Sequence, residues 1–216
     1  MKGIVLAGGT GTCGGSVSVS SAAPAELMPF LSVVIPVGRI DPSFSCCLQA
    51  LSRQTLPREF FEVILVPDGV ALPTEILAAL HPISATTVCE IEAQRGRSST
   101  RNRGLARARG SVAVSLDRDM IASPELLSNY FDKHRHGAAV CMGVRKFVYP
   151  YDEMNVSSNQ AFTTMLSACF PREDYRESFY RATDFMRRAA EPIWAFSTCN
   201  CSYPLDLARQ VGLFDE

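Results

Sequence analysis

RNRGLARARGSVAVSLDRD, residues Arg101–Asp119, is the stretch from which the fold is read. Its first half is helical in pattern: Arg101, Gly104, Leu105 and Ala108 fall at i, i+3, i+4 and i+7, so they share one face. That face is otherwise small or apolar, so it is expected to be buried with a guanidinium on it. Arg103 and Arg107 point elsewhere and are expected in solvent. Ser98-Ser99 are candidate N-caps and Gly110 is a natural stop. Ser111–Leu116 carries no charge and reads as a buried strand that ends in Asp117-Arg118-Asp119. In open α/β sheets ligands bind outside the carboxyl ends of the strands. Two carboxylates there, beside a basic helix, suit a hard divalent cation holding phosphate oxygens. Taken alone, the same D-x-D also reads as a polar turn closing a strand.

The 216 residues suffice for one well-packed domain, or one and a half, and 47% hydrophobic with 20% charged residues are globular values. A formal net charge of −1 offers no general attraction to nucleic acid or an anionic membrane. No apolar run approaches the ~20 residues of a membrane span, and glycines interrupt the brief apolar start at Ile4–Ala7, which makes a poor signal peptide. Eight cysteines contain no C-x-x-C pair and several sit in apolar runs, as small hydrophobes do. A reduced, cytoplasmic setting is expected from them. His134 and His136 read as a solvated helix end rather than a metal pair, because no third ligand stands close in sequence.

Along the chain, residues 1–30 are a glycine-rich start and a Ser/Ala-rich linker, and 31–216 are the globular part. LSVVIP (31–36), Phe61–Val66, Thr86–Ile91 and Ser111–Leu116 read as strands, with Ala138–Val148 a further candidate. Phe44, Cys47, Leu48 and Leu51 form one face of a helix after the first strand. Ser123-Pro124-Glu125 starts another, with Ser as cap and a face of Leu126, Leu127, Tyr130 and Phe131. Strand and helix alternate over 31–148, which predicts a mainly parallel sheet flanked by helices. Beyond Pro150, Asn159–Cys169 and Asp174–Ala190 look helical. With the arginine-rich, aromatic stretch Tyr175–Trp194 they suggest a helical cap, 149–216, over the sheet edge.

Three strand ends carry polar signals in order: Pro36 with Gly38, Asp68-Gly69, and Asp117-Arg118-Asp119. With them stand Gln54-Thr55-Leu56-Pro57, Thr100-Arg101-Asn102-Arg103-Gly104, Ala108-Arg109-Gly110, Thr198-Cys199-Asn200-Cys201-Ser202 and Gly212-Leu213-Phe214-Asp215-Glu216. In this order the segments resemble a family 2 glycosyltransferase of the GT-A fold. That resemblance implies a Rossmann-like α/β sheet with an acceptor-side cap, and metal-dependent, inverting transfer of a sugar from a nucleotide-sugar donor to a carbohydrate or other acceptor hydroxyl. It further implies that Pro36, Asp68 and Arg101 serve the donor nucleotide, that Asp117 contacts its ribose or the metal, and that Asp119 binds Mn²⁺ or Mg²⁺. Relatives continue past F-D-E to an E-D pair supplying the general base. This chain stops at Glu216, so the resemblance implies a C-terminally truncated member in which Asp215 or Glu216 substitutes. Pro67 and Val70 stand where many relatives have an acid and a serine, and Val37-Gly38 replace an aromatic-Asn pair. Two other readings stay open. Without the E-D pair, the chain fits a non-catalytic nucleotide-sugar-binding module. MKGIVLAGGTGT (1–12) resembles the opening of sugar-1-phosphate nucleotidylyltransferases, without the Arg that follows there.

Overall fold

LSVVIPV and VAVSL become neighbouring parallel strands, and the rest of the sheet is assembled around them. The computed structural model describes residues 30–79, 86–90, 93–147, 170–173 and 196–216, with Gln160 and Thr164. In chain order the elements are β1 (Leu31–Val37), α1 (Pro42–Leu51), a 3-10 turn (Arg58–Phe60), β2 (Phe61–Pro67), α2 (Thr74–Ala79), β3 (Thr86–Val88), α3 (Arg97–Arg107) and β4 (Val112–Leu116). There follow α4 (Leu126–Arg135), β5 (Cys141–Met142), β6 (Lys146–Phe147), β7 (Phe170–Glu173), β8 (Asn200–Pro204) and α5 (Leu205–Gln210). Six strands make one sheet in the order β3-β2-β1-β4-β8-β5, and β6 pairs with β7 separately. The first four are parallel, while β8 runs antiparallel to both β4 and β5.

Alternate residues of a strand face opposite sides of a sheet, and both sides here are covered. Val33 and Ile35 pack with Phe44, Cys47, Leu48 and Leu51 of α1 and with Leu126 and Leu127 of α4. Val34 turns to the other side, with Leu105 of α3 and Tyr203 and Leu205 near α5. The predicted face of α3 is buried as expected at Arg101, Gly104, Leu105 and Ala108. Gly104 is what lets α3 approach: a Cβ there would lie 2.3 Å from Val34 Cγ1 and 2.9 Å from Val66 Cγ2.

Several local expectations are corrected. Ser98 and Ser99 do not cap α3. Gly96, at φ +91°, is the N-cap, and both serines lie inside the helix. The helix stops at Arg107, and Gly110 serves packing instead, its position pressed against Ser32 Oγ and the backbone of Phe30 and Leu31. Arg103 is not free in solvent, because its guanidinium donates to the carbonyls of Pro67 (3.3 Å) and Glu90. Ser123-Pro124 form a turn ahead of α4, held by Gln54 Nε2 on Ser123 O at 2.8 Å and Thr55 N on Pro124 O at 2.8 Å. The Q-T segment is thus a clamp on the loop after β4. His134 is half-buried and bonds Ser202 Oγ at 2.9 Å, so only His136 of that pair is exposed. Within Ala138–Val148 the described residues form two short strands rather than one. Residues 200–204, grouped with the cap by sequence, form β8, an inner strand of the sheet between β4 and the edge strand β5. The glycine-rich start up to residue 29, Ile91 of the expected third strand, Asn159–Cys169 apart from Gln160 and Thr164, and Asp174–Ala190 with Trp194 lie outside the described residues. None of the six described cysteines is in a disulfide among the described residues, and five of them are buried.

Candidate functional site

Parallel strands bring their carboxyl ends to one edge, and here the registers Val37↔Pro67 and Val34↔Ser115 align three of them. The residues just beyond these ends enclose a cleft of ≈ 310 Å³. Pro36, Gly38 and Arg39 line it from β1, and Asp68 from β2. Gln94 comes from the loop before α3, Arg97 and Arg101 from the start of α3, and Asp117, Arg118 and Asp119 from the end of β4. Pro36, Asp68, Arg101, Asp117 and Asp119, each singled out from sequence, are therefore brought together. Asp215 and Glu216 do not line this cleft. Glu216 Oε1 instead accepts from Asn102 Nδ2 at 2.9 Å, and the same amide brackets Phe214, donating to its O at 2.8 Å and accepting from its N at 3.0 Å.

Asp68 is 8% exposed. Its Oδ1 accepts from Arg95 N at 2.9 Å, and its own N–H donates to Val37 O at 2.9 Å, so the carboxylate is held by the loop before α3 and the backbone by the end of β1. Gly69 turns the chain away at φ +75°, a conformation that favours glycine.

The buried guanidinium of α3 meets the first acid of the D-x-D. Arg101 Nη2 donates to Asp117 Oδ1 at 2.7 Å, while Arg101 Nε is buried with no hydrogen-bond partner among the described residues. Burial pushes the Asp117 carboxyl up, Arg101 offsets part of that, and Asp119 adds to the rise. Backbone bonds from Asp117 N to Cys199 O and from Met120 N to Asp117 O, both 3.0 Å, fix the turn. Asp119 is less tightly paired, although its side chain is only 20% exposed: its nearest ion-pair partner among the described residues, Arg118 Nη2, is 4.0 Å away.

Arg118 is anchored on the other side. Its Nη1 donates to Asp41 Oδ1 at 2.7 Å and to Ser43 Oγ at 3.3 Å, and Arg39 Nε donates to Asp41 Oδ2 at 2.9 Å. Burial raises the Asp41 carboxyl, but hydrogen bonds from Ser43 and Arg118 and the charges of Arg118 and Arg39 outweigh it and hold it down at about 2. Beneath the turn, burial pushes the Cys47 thiol far up, which leaves it an inert packing group. Sequence reasoning missed Arg39, Asp41, Gln94, Arg97 and Arg118 as site residues. The available signal was the excess of arginines beside the acids, in Q-R-G-R before α3 and within the D-x-D itself.

Comparison with known proteins gives a consistent assignment. The family model described as Glycosyl transferase family 2 matches residues 32–211. Glycosyltransferase AglE of Haloferax volcanii is 28% identical over 142 residues, covering 64% of this chain and 46% of that protein. Validoxylamine A glucosyltransferase of Streptomyces hygroscopicus subsp. limoneus is 28% identical over 204 residues, 88% of this chain and 44% of that protein. The chain thus spans less than half the length of these relatives. Among solved structures, the mannosyltransferase PcManGT from Pyrobaculum calidifontis, in complex with GDP-Man and Mn²⁺, shares the fold at a TM-score of 0.60 with 21% identity, over 87% of this chain and 48% of that one.

Proposed function

The chain belongs to glycosyl transferase family 2, and from that membership we propose that it moves a sugar from a nucleotide-sugar donor to an acceptor hydroxyl with inversion at the anomeric carbon. One observation carries this reading: five residues with separate implied donor-side roles, far apart in sequence, line a single cleft at the carboxyl edge of the sheet. Asp68 keeps one carboxylate oxygen clear of the Arg95 amide, ready to accept an N–H of the base. Arg101 fixes Asp117, which then offers its remaining oxygen to the ribose.

A divalent cation, Mn²⁺ or Mg²⁺, fits the residues present. Among the described residues no three His, Cys, Asp or Glu side chains form a cage. Mg²⁺ characteristically uses one or two carboxylates plus the phosphates of a substrate, which Asp119 with Asp117 can provide. Such a cation would supply Lewis-acid stabilisation of the leaving nucleoside diphosphate. The acceptor hydroxyl attacks the anomeric carbon from the opposite face as a carboxylate removes its proton, and Asp215 or Glu216 is the proposed base.

Because neither of those acids lines the cleft, a second reading, a donor-binding module without turnover, has an observation in its favour. Calorimetric titration of UDP, GDP and dTDP with and without Mn²⁺ tests the donor site. We expect one nucleotide to bind, to require the metal, and to lose binding in Asp119→Ala. Metal-independent binding unaffected by that change would sink the metal-dependent mechanism. Binding without sugar transfer or donor hydrolysis would select the second reading. No helix among the described residues is long and apolar enough to cross a membrane.

A further inference from the structure

Arg118 places a cation between the two acids to which the proposed function gives the ribose and the metal. Its Nη2 stands 4.0 Å from Asp119 Oδ2, a loose ion pair beyond hydrogen-bond distance, and a small side-chain rotation would tighten it into a hydrogen-bonded one. Such a pair would occupy the carboxylate a divalent cation needs. The guanidinium has little access to water, since the Arg118 side chain is only 10% exposed, so it must be satisfied by a protein anion. Asp41, 77 residues away in sequence, is that anion.

The geometry at Asp41 is that of a tether. Oδ1 takes Arg118 Nη1 at 2.7 Å and the Ser43 hydroxyl, while Oδ2 takes Arg39 Nε at 2.9 Å and lies 2.8 Å from Arg39 Nη2. One carboxylate therefore holds two guanidiniums, both of which line the cleft. We propose that Asp41 is a positioning residue: by tethering Arg118 and balancing Arg39, it keeps Asp119 open to a divalent cation. This rests on the reading of the cleft as a metal-assisted donor site. Without Asp41, two guanidiniums repel the incoming cation, and Arg118 turns to the nearest remaining acid, Asp119.

The test is Mn²⁺ affinity, read from free Mn²⁺ by electron paramagnetic resonance with the full chain and saturating nucleoside diphosphate. Wild type, Asp41→Asn, Arg118→Met and the double variant are compared, with urea melts to verify folding. Asn retains N-cap preference at the start of α1. Asp41→Asn should weaken Mn²⁺ about fivefold, the size of one partly exposed charge pair. Arg118→Met should bind Mn²⁺ at least as well as wild type, and the double variant should recover to within about twofold of it. A merely structural role for Asp41 would leave the double variant as weak as Asp41→Asn, and that result overturns the proposal. So does unchanged affinity in Asp41→Asn, or weaker binding in a folded Arg118→Met. Wild type that binds no Mn²⁺ overturns the metal-site reading itself, a different result from wild-type binding that Asp41→Asn leaves intact.

Discussion

Asp117→Ala should cost more stability than Arg101→Met, although the two side chains share one ion pair. The asymmetry follows from burial. The Arg101 side chain is 7% exposed and its Nε already lacks a partner among the described residues, whereas the Asp117 side chain is 35% exposed and can turn to water. Removing the acid therefore strands a buried guanidinium, while removing the arginine leaves an acid that water partly solvates. Breaking a fully buried pair costs ~3–5 kcal/mol, and water at Asp117 reduces that, so about 2 kcal/mol is expected for Asp117→Ala. Arg101→Met should cost about 1 kcal/mol, and the double variant no more than the acid variant alone, because an apolar replacement of both partners removes the stranded charge. In a chain of this length a loss of about 2 kcal/mol lowers the melting midpoint by roughly 4–8 °C. Urea unfolding followed by circular dichroism, with m unchanged, supplies the free energies. If Arg101→Met proves the more costly change, or if the two losses simply add in the double variant, the account of Arg101 as a buried charge dependent on Asp117 is wrong.

Three further outcomes are expected. Gly104→Val should destabilise by at least ~2 kcal/mol through overpacking against Val34 and Val66, and nucleotide affinity should fall with it as α3 lifts Arg101 from Asp117; a neutral melt would refute the close approach. Asn102→Ala should raise the amide exchange rate of Phe214 at least tenfold, while core amides of β1 stay protected, because the bonds bracketing Phe214 are lost. Asp41 has a folded-state value lowered from 3.8 to about 2, so its stabilisation is complete above the unfolded value and is lost as pH falls through the folded one. The stability gap between wild type and Asp41→Asn should accordingly be constant from pH 7 to 5 and shrink between about pH 4 and 2, as urea melts at each pH will record.

Much of the frame was legible because it depends on short periods. The i, i+3, i+4, i+7 spacing of Arg101, Gly104, Leu105 and Ala108 identified the buried face of α3. Uncharged runs identified β1 and β4, and polar residues at their carboxyl ends marked the cleft. Contacts between distant residues were not legible. Nothing in the sequence ties Asp41 to Arg118 or Asn102 to Phe214, which lie 77 and 112 residues apart. The failed caps have the same origin. Ser123 has the chemistry of an N-cap, but Gln54 and Thr55 hold the carbonyls of Ser123 and Pro124 in a turn, and this tertiary demand overrides local preference. Ser98 and Ser99 were preceded by Gly96, whose positive φ starts the helix earlier.

The position of β8 also has a consequence for the order in which the molecule can be made. Strands β3, β2, β1 and β4 can pair as soon as residue 116 has left the ribosome, but the outer edge of β4 then waits for a partner that is synthesised more than 80 residues later. Among the described residues no other strand covers that edge, so in that interval Val112–Leu116 would be an apolar strand with one edge open, the kind of surface that recruits other chains. Cys141–Met142 cannot fill the gap, because β5 joins the sheet only through β8. Expression of a chain ending before Asn200 should therefore yield aggregates, and slow translation through residues 117–199 should lower the yield of folded protein.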